Sequence, residues 1–184
     1  MLDELLVWRD LAVNFCFFSD DPGSLSALPT WAQATLAEHA QDTRPRIIDS
    51  ETLSRSGSGD EVWDLAQASL RIHGELHNNL RMTWAKAIPA WRPDPQAALD
   101  TLIALNHRYA LDGSDPNSYG GLLWSLGLFD RPFDEAPVMG RVRRRSTAAH
   151  ARRLDIDRYR ARVSRPASGE ALRIAVVGAG VSGL

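Results

Sequence analysis

Most segments between residue 3 and about residue 163 carry their apolar residues at helical spacing, and no convincing run of strands appears before residue 170. That pattern points to helices. Asp3 to Phe15 sets the pattern, with apolar residues at 5, 8, 11, 12 and 15, one stripe of an amphipathic helix. Asp20-Asp21-Pro22-Gly23 breaks it. Thr30, after Pro29, is placed to cap a short helix from Trp31 to His39. Ser54 to Asp60 reads as a polar loop, and Trp63 to Ile72 as a helix ended by His73-Gly74. A further helix runs from about Leu76 toward Trp91, interrupted by Pro89. Pro95, at a favourable first helical position, opens another through Tyr109. Asp112 to Pro116 is a turn, and Tyr119 to Leu128 is a stretch of small and apolar residues. The expected class is all-α, without internal repeats.

The end of the chain departs from this. Residues 164–170 form a linker by composition. Then Leu172 to Val177 reads as a buried strand running into a GxGxxG loop with glycines at Gly178, Gly180 and Gly183. A strand feeding such a loop opens a dinucleotide-binding βαβ unit, whose glycines let backbone N–H groups approach a pyrophosphate. Residues 171–184 are therefore expected to be the truncated start of a Rossmann domain, and the chain a fragment.

The 184 residues suffice for one buried core, and 44% hydrophobic with 24% charged residues excludes a disordered or collagen-like chain. No apolar run approaches a membrane span, and Asp3 and Glu4 are the wrong charge for a secretory signal. The single cysteine, Cys16, excludes an internal disulfide framework and a thiolate metal cluster, and reads as a buried, inert thiol. The five histidines lack metal-ligand spacing. A cytoplasmic monomer that binds neither metal nor membrane is the expectation. The net charge of −2 hides an asymmetry: residues 140–165 hold ten arginines and two acids, leaving −10 on the remainder. A solvated helical face is one meaning of that cluster; a polyanionic partner is the other.

Six tryptophans mark the chain, at 8, 31, 63, 84, 91 and 124. Trp84 and Trp91 are seven residues apart, two turns of a continuous helix, and Trp63 lies on the preceding helix. Spacing alone fits a core cluster; it also fits a relay of redox-active indoles. The surrounding residues are more specific. They are Trp63-Asp-Leu-Ala-Gln67, then His77-Asn-Asn-Leu-Arg81-Met82-Thr83-Trp84-Ala85-Lys86, then Leu105-Asn106 through Tyr109 to Asp112-Gly113-Ser-Asp115-Pro116-Asn117-Ser-Tyr119. In that order and register they resemble class II cyclobutane pyrimidine dimer photolyases. The resemblance starts at Glu4-Leu-Leu-Val-Trp8 and continues through Trp124-Ser125 and Pro137-Val-Met-Gly140-Arg-Val-Arg143 to Asp155-Ile-Asp157. It covers nearly everything from residue 2 to about 163 and so sets a helical domain at residues 1–163.

The resemblance implies the C-terminal part of an all-helical FAD-binding domain. It implies light-driven repair in which reduced FAD gives an electron to a flipped-out dimer in DNA and then recovers it. It further implies that Trp84 is nearest the flavin, Trp63 intermediate and Trp91 the exposed terminus of a photoreduction relay. Asn106 would face flavin N5; Arg81 and Asp112 would pair beside the ring, with Asp115 and Asn117 also on the cofactor. Glu4, Trp8, Met82 and Trp124 would surround the dimer. The charge asymmetry, not the resemblance, offers Arg141 and Arg143 among the arginines for DNA phosphate; several of that cluster stand where the family has aromatics or methionine. Each has a structural competitor: a helix-dipole partner for Glu4, an ordinary ion pair for Arg81–Asp112, core packing for Met82.

Some positions depart from the family. Asn78-Asn79 replaces a Gly-Tyr pair, Thr83 replaces a tyrosine, and Leu128-Phe129-Asp130 replaces a longer segment with glycine and histidine. Pro89 removes a helical hydrogen bond between Trp84 and Trp91 and is expected to bend the chain. The Rossmann opening resembles that of amine-oxidase-type flavoenzymes, so a second dinucleotide is an expectation there. Two alternatives follow: an accessory domain of such an oxidoreductase, or a non-catalytic nucleic-acid-binding or light-sensing module. No antenna pigment is legible.

Overall fold

The computed structural model describes residues 3–165. A π-helical segment, Asp3–Trp8, runs into α1 (Arg9–Phe18). There follow α2 (Thr30–Glu38), α3 (Ser50–Ser54), α4 (Glu61–His73), α5 (Asn78–Ala87), α6 (Pro95–Tyr109), α7 (Pro116–Trp124), α8 (Thr147–Ala151) and α9 (Ile156–Val163). Among the described residues the β contribution is an isolated bridge between Ala136 and Gly140. The all-helical architecture implied by the family resemblance is thus the one that forms. No described helix is long and apolar enough to cross a membrane. The candidate strand and Gly178, Gly180 and Gly183 lie outside the described residues.

Aspartates start five of these helices by accepting from an orphan N–H of the first turn. Asp49 takes the amide of Thr52, Asp60 that of Trp63, Asp94 that of Ala97, Asp115 that of Asn117 and Asp155 that of Arg158. Each cap contributes about 1 kcal/mol. Gly74 ends α4 in the left-handed region at φ 68°, its N–H reaching Leu70 O at 2.9 Å. A Cβ there would sit 2.7 Å from Leu111 Cγ, so the tight passage to α5 requires glycine. Pro95 occupies the first turn of α6, which ends at Tyr109 as the sequence indicates. At α2 the capping position falls on Pro29 and Thr30 is already helical, a one-residue difference.

Trp63, Leu70, Trp84, Ile88, Leu99 and Leu102 form the centre of the core, each no more than 1% exposed. Burying each contributes roughly 1.5–3 kcal/mol. α1 docks on α7 where Gly120 leaves room: a Cβ at 120 would lie 2.8 Å from Ala12 Cβ. The opposite flank of α1 faces outward, with Phe17 79% and Phe18 78% exposed. α8 and α9 close over α4 and α5. Thr83 Oγ1 meets His150 Nδ1 at 2.9 Å, Arg162 pairs with Glu75 at 2.8 Å, and Arg160 pairs with Glu61. Two arginines of the arginine-rich stretch thus form surface ion pairs within the chain.

Pro89 interrupts the helix as the sequence indicates: α5 ends at Ala87 and Ile88–Ala90 forms a 3₁₀ turn around it, so Trp84 and Trp91 do not share one continuous helix. Two expectations need correction, at Trp91 and at Cys16. Trp91 is not an exposed terminus. It is 7% exposed, because the segment 42–48 folds across it. Ile48 N–H donates to Trp91 O at 2.9 Å, Arg92 Nη1 donates to Ile48 O at 2.6 Å, and the Arg46 guanidinium lies 5.2 Å from the indole centroid. Cys16 is half-buried rather than enclosed, with its thiol 3.7 Å from Pro116 O; burial pushes its pKa up, followed by the charge of Asp115.

Candidate functional site

The π-helical segment, α1, α5, α6 and α7 surround a cleft of about 660 Å³. Asn106, near the end of α6, lines it and is 1% exposed. Its Nδ2 donates to Gly113 O at 3.2 Å, which fixes the amide orientation, while Oδ1 is buried without any partner. Gly113 makes this possible: a Cβ there would lie 2.8 Å from Asn106 O and 2.9 Å from His107 Cα. An unsatisfied buried carbonyl oxygen costs roughly 1–3 kcal/mol. It is a site in want of a donor. Beside it Arg81 Nη1 reaches Asp112 Oδ1 at 3.3 Å and Oδ2 at 3.4 Å, both residues lining the cleft. Asn117 lines the same region, in the first turn of α7.

The other end of the cleft is aromatic. The rings of Trp8 and Trp124 lie 4.6 Å apart at 43°, and Phe129 abuts Trp124 edge-on at 6.2 Å. Phe129 is held in the left-handed region at φ 60° and also packs edge-on against Phe15 at 5.8 Å. Met82 lines the wall from α5, and Arg143 and Arg145 stand at the margin. Arg143 lies 5.5 Å from the Phe133 centroid, and Arg145 binds the backbone carbonyl of Asn79 at 2.9 Å.

Behind the cleft the three tryptophans touch in sequence. Trp84 and Trp63 are stacked at 6.2 Å with planes 9° apart, and Trp63 meets Trp91 edge-on at 5.3 Å. Both inner N–H groups are bonded, Trp84 Nε1 to Gln67 Oε1 at 3.0 Å and Trp63 Nε1 to Trp84 O at 2.9 Å. The rings serve the core, and they form an unbroken aromatic path at the same time.

Not every expected residue reaches the cleft. Asp115 caps α7 and pairs with Arg9 at 3.1 Å, so its carboxylate ties α1 to α7. Arg141 is exposed outside the cleft, its backbone N–H donating to Thr35 Oγ1 at 3.0 Å. Glu4 belongs to the π-helical segment; its side chain lies outside the described features. One residue of the cleft escaped the sequence reading. Lys86 is 5% exposed and donates from Nζ to Ser125 O at 3.1 Å. Burial drives its pKa down to about 8, against the attraction of Asp130 and with the repulsion of Arg145 and Arg143. Its four-residue spacing from Met82 was the available signal, since such pairs share a helix face.

No protein-family model matches the chain. Among curated proteins it is similar to the deoxyribodipyrimidine photo-lyase of Oryza sativa subsp. japonica, 41% identical over 165 residues, which are 89% of this chain and 33% of that protein. The deoxyribodipyrimidine photo-lyase of Methanothermobacter thermautotrophicus is 39% identical over 158 residues, 86% of this chain and 36% of its own length. That of Potorous tridactylus is 38% identical over 164 residues, 89% and 31% respectively. The chain spans about a third of the length of the curated relatives it matches.

Proposed function

We propose that this chain, similar over most of its length to a third of a deoxyribodipyrimidine photo-lyase, is the FAD- and lesion-binding segment of a class II-like photolyase. The observation that carries the reading is Asn106 Oδ1: buried, oriented, unpartnered, and in a cleft large enough for an aromatic ring system. The residues present fit a flavin, whose reduced ring carries an N–H where such an acceptor is needed. Asn106, Arg81, Asp112 and Asn117 would hold it. The flavin supplies light-driven one-electron chemistry when bound.

The chain's own residues then divide the work. The Arg81 guanidinium places positive charge next to the cofactor end, which favours an anionic ring. Trp8, Trp124 and Met82 offer apolar surface to a flipped-out pyrimidine pair and replace the stacking lost on extrusion. Glu4 offers a carboxylate to a base edge. Arg143 and Arg145 supply cations for the adjoining phosphates. Trp84, Trp63 and Trp91 offer a path by which an electron reaches the cleft from the far side of α4. Asp115 is reassigned from the cofactor to the α1–α7 junction.

The test uses the native protein that carries this chain. Flavin is read from its visible absorption, and an oligonucleotide holding one thymine dimer is followed by chromatography under blue light and in darkness. Light-dependent loss of the dimer is the expected result. A protein that binds no flavin, or repairs equally in the dark, would overturn the proposal.

A further inference from the structure

Lys86 is the buried cation of the cleft, and the roles above leave it unused. It follows Met82 by four residues on α5, so the two share a helix face. Its Nζ donates to Ser125 O, the residue after Trp124. The ammonium therefore lies between the two elements that carry Met82 and Trp124, and Lys86 lines the same cleft as both. An ammonium has three N–H donors. Within the described structure the one acceptor bonded to it is Ser125 O, at 3.1 Å.

A purely structural reading is available: a lysine at the C-terminal end of α7 complements the helix dipole. That reading uses one donor and leaves two in a water-poor site. A methionine of similar shape would fill the same seam without the penalty of a buried charge. Taking the proposed function as its basis, we infer that Lys86 is a lesion-binding residue, its free N–H donors directed to a carbonyl oxygen of the flipped-out pyrimidine pair. Pyrimidine carbonyls are neutral acceptors that gain electron density when the pair takes up an electron, and a fixed cation holds them more tightly in that state. The charged groups facing Lys86 are Asp130, Arg143 and Arg145. Burial and the two arginines oppose its charge, while Asp130 favours it.

The experiment measures dark binding of dimer-containing and undamaged oligonucleotides to the native protein and to Lys86→Met and Lys86→Gln variants, with thermal melting as a check on folding. The expected result is a roughly 10–100-fold loss of preference for the dimer in both variants, the range for one charge-assisted hydrogen bond. Affinity for undamaged DNA is expected to hold, because that is set by phosphate contacts. In the unsubstituted protein the preference is expected to fall as pH rises past about 8, where Lys86 loses its proton. Folded variants with full preference, or a preference flat across that pH range, would overturn the inference and leave Lys86 as a helix cap. If the unsubstituted protein shows no preference at any pH, the proposed function fails and takes this inference with it.

Discussion

Trp84 donates its indole N–H to Gln67 Oε1 at 3.0 Å, joining α5 to α4 with both side chains no more than 1% exposed. Gln67 uses its other end as well, Nε2 reaching Ser54 O at 3.4 Å. One amide therefore satisfies α5 and α3 together. Gln67→Leu removes both partnerships and leaves a buried N–H and a buried C=O unpaired. A loss of about 2–4 kcal/mol in urea unfolding is expected; an unchanged midpoint would show that the bond is dispensable.

The stacked pair supports a second expectation. In the native protein with flavin bound, Trp84→Phe and Trp63→Phe should each slow light-driven flavin reduction by at least about tenfold, since a phenyl ring is a far poorer electron donor than an indole. Trp31→Phe is the control, because Trp31 packs against the core without joining the stacked path. Time-resolved absorption reads the rates. Normal photoreduction in the Trp84 variant would sink the relay.

Asn106→Ala takes away the acceptor without disturbing a charge. Reduced flavin is expected to reoxidise in air several-fold faster, while melting changes by no more than about 1–2 kcal/mol, since the alanine also removes one hydrogen bond and one unsatisfied oxygen. Stopped-flow absorption after anaerobic reduction decides it. Equal reoxidation rates would show that Oδ1 does not face the flavin.

At the end of α2, His39 Nδ1 bonds Asp42 at 2.6 Å and its Nε2 faces Glu135 at 3.2 Å. The Asp42 bond, the largest influence, raises the His39 pKa, so this pair stabilises the fold fully below pH 6.5 and stops doing so as pH rises through the raised value. Asp42 behaves in the opposite sense. A backbone N–H from Val138 and then His39 lower its pKa, so its contribution is present above its unfolded value and is lost as pH falls through the folded one. Asp42→Asn should bring the His39 pKa, read by NMR, back toward 6.5. A His39 titration unmoved by that change would exclude Asp42 as its cause.

Gly140 provides a test of the segment that carries Arg141 and Arg143. It sits at φ 52°, and a Cβ there would collide with Thr35 Oγ1 and lie 2.7 Å from His39 Cδ2. Gly140→Ala combines left-handed strain with overpacking and is expected to cost about 2–4 kcal/mol. A melting temperature within a degree of the parent would show that the segment relaxes freely.

How much of this was legible depends on how local its causes are. The span of α6 is written in Asp94-Pro95 and the turn after Tyr109, because the cap and the first-turn proline act within four residues. The Trp63–Trp84 pairing was also foreseeable, through Gly74 and the helix period on either side. α3 was not: a five-residue helix lives on the Asp49 cap and on Leu53, 0% exposed only because other elements cover it. The same holds for Trp91, whose burial comes from residues over forty positions away, and for Lys86, which becomes a cleft residue only when α7 presents Ser125 O. Side chains placed by distant backbone leave no periodic trace.

The cover over Trp91 has a kinetic meaning. Any soluble reductant refilling an electron vacancy on that indole would pass its electron across the Arg46 guanidinium and the chain around Ile48. That layer lengthens the last hop without barring it, so the cover sets a distance between reagent and relay that no tryptophan substitution changes.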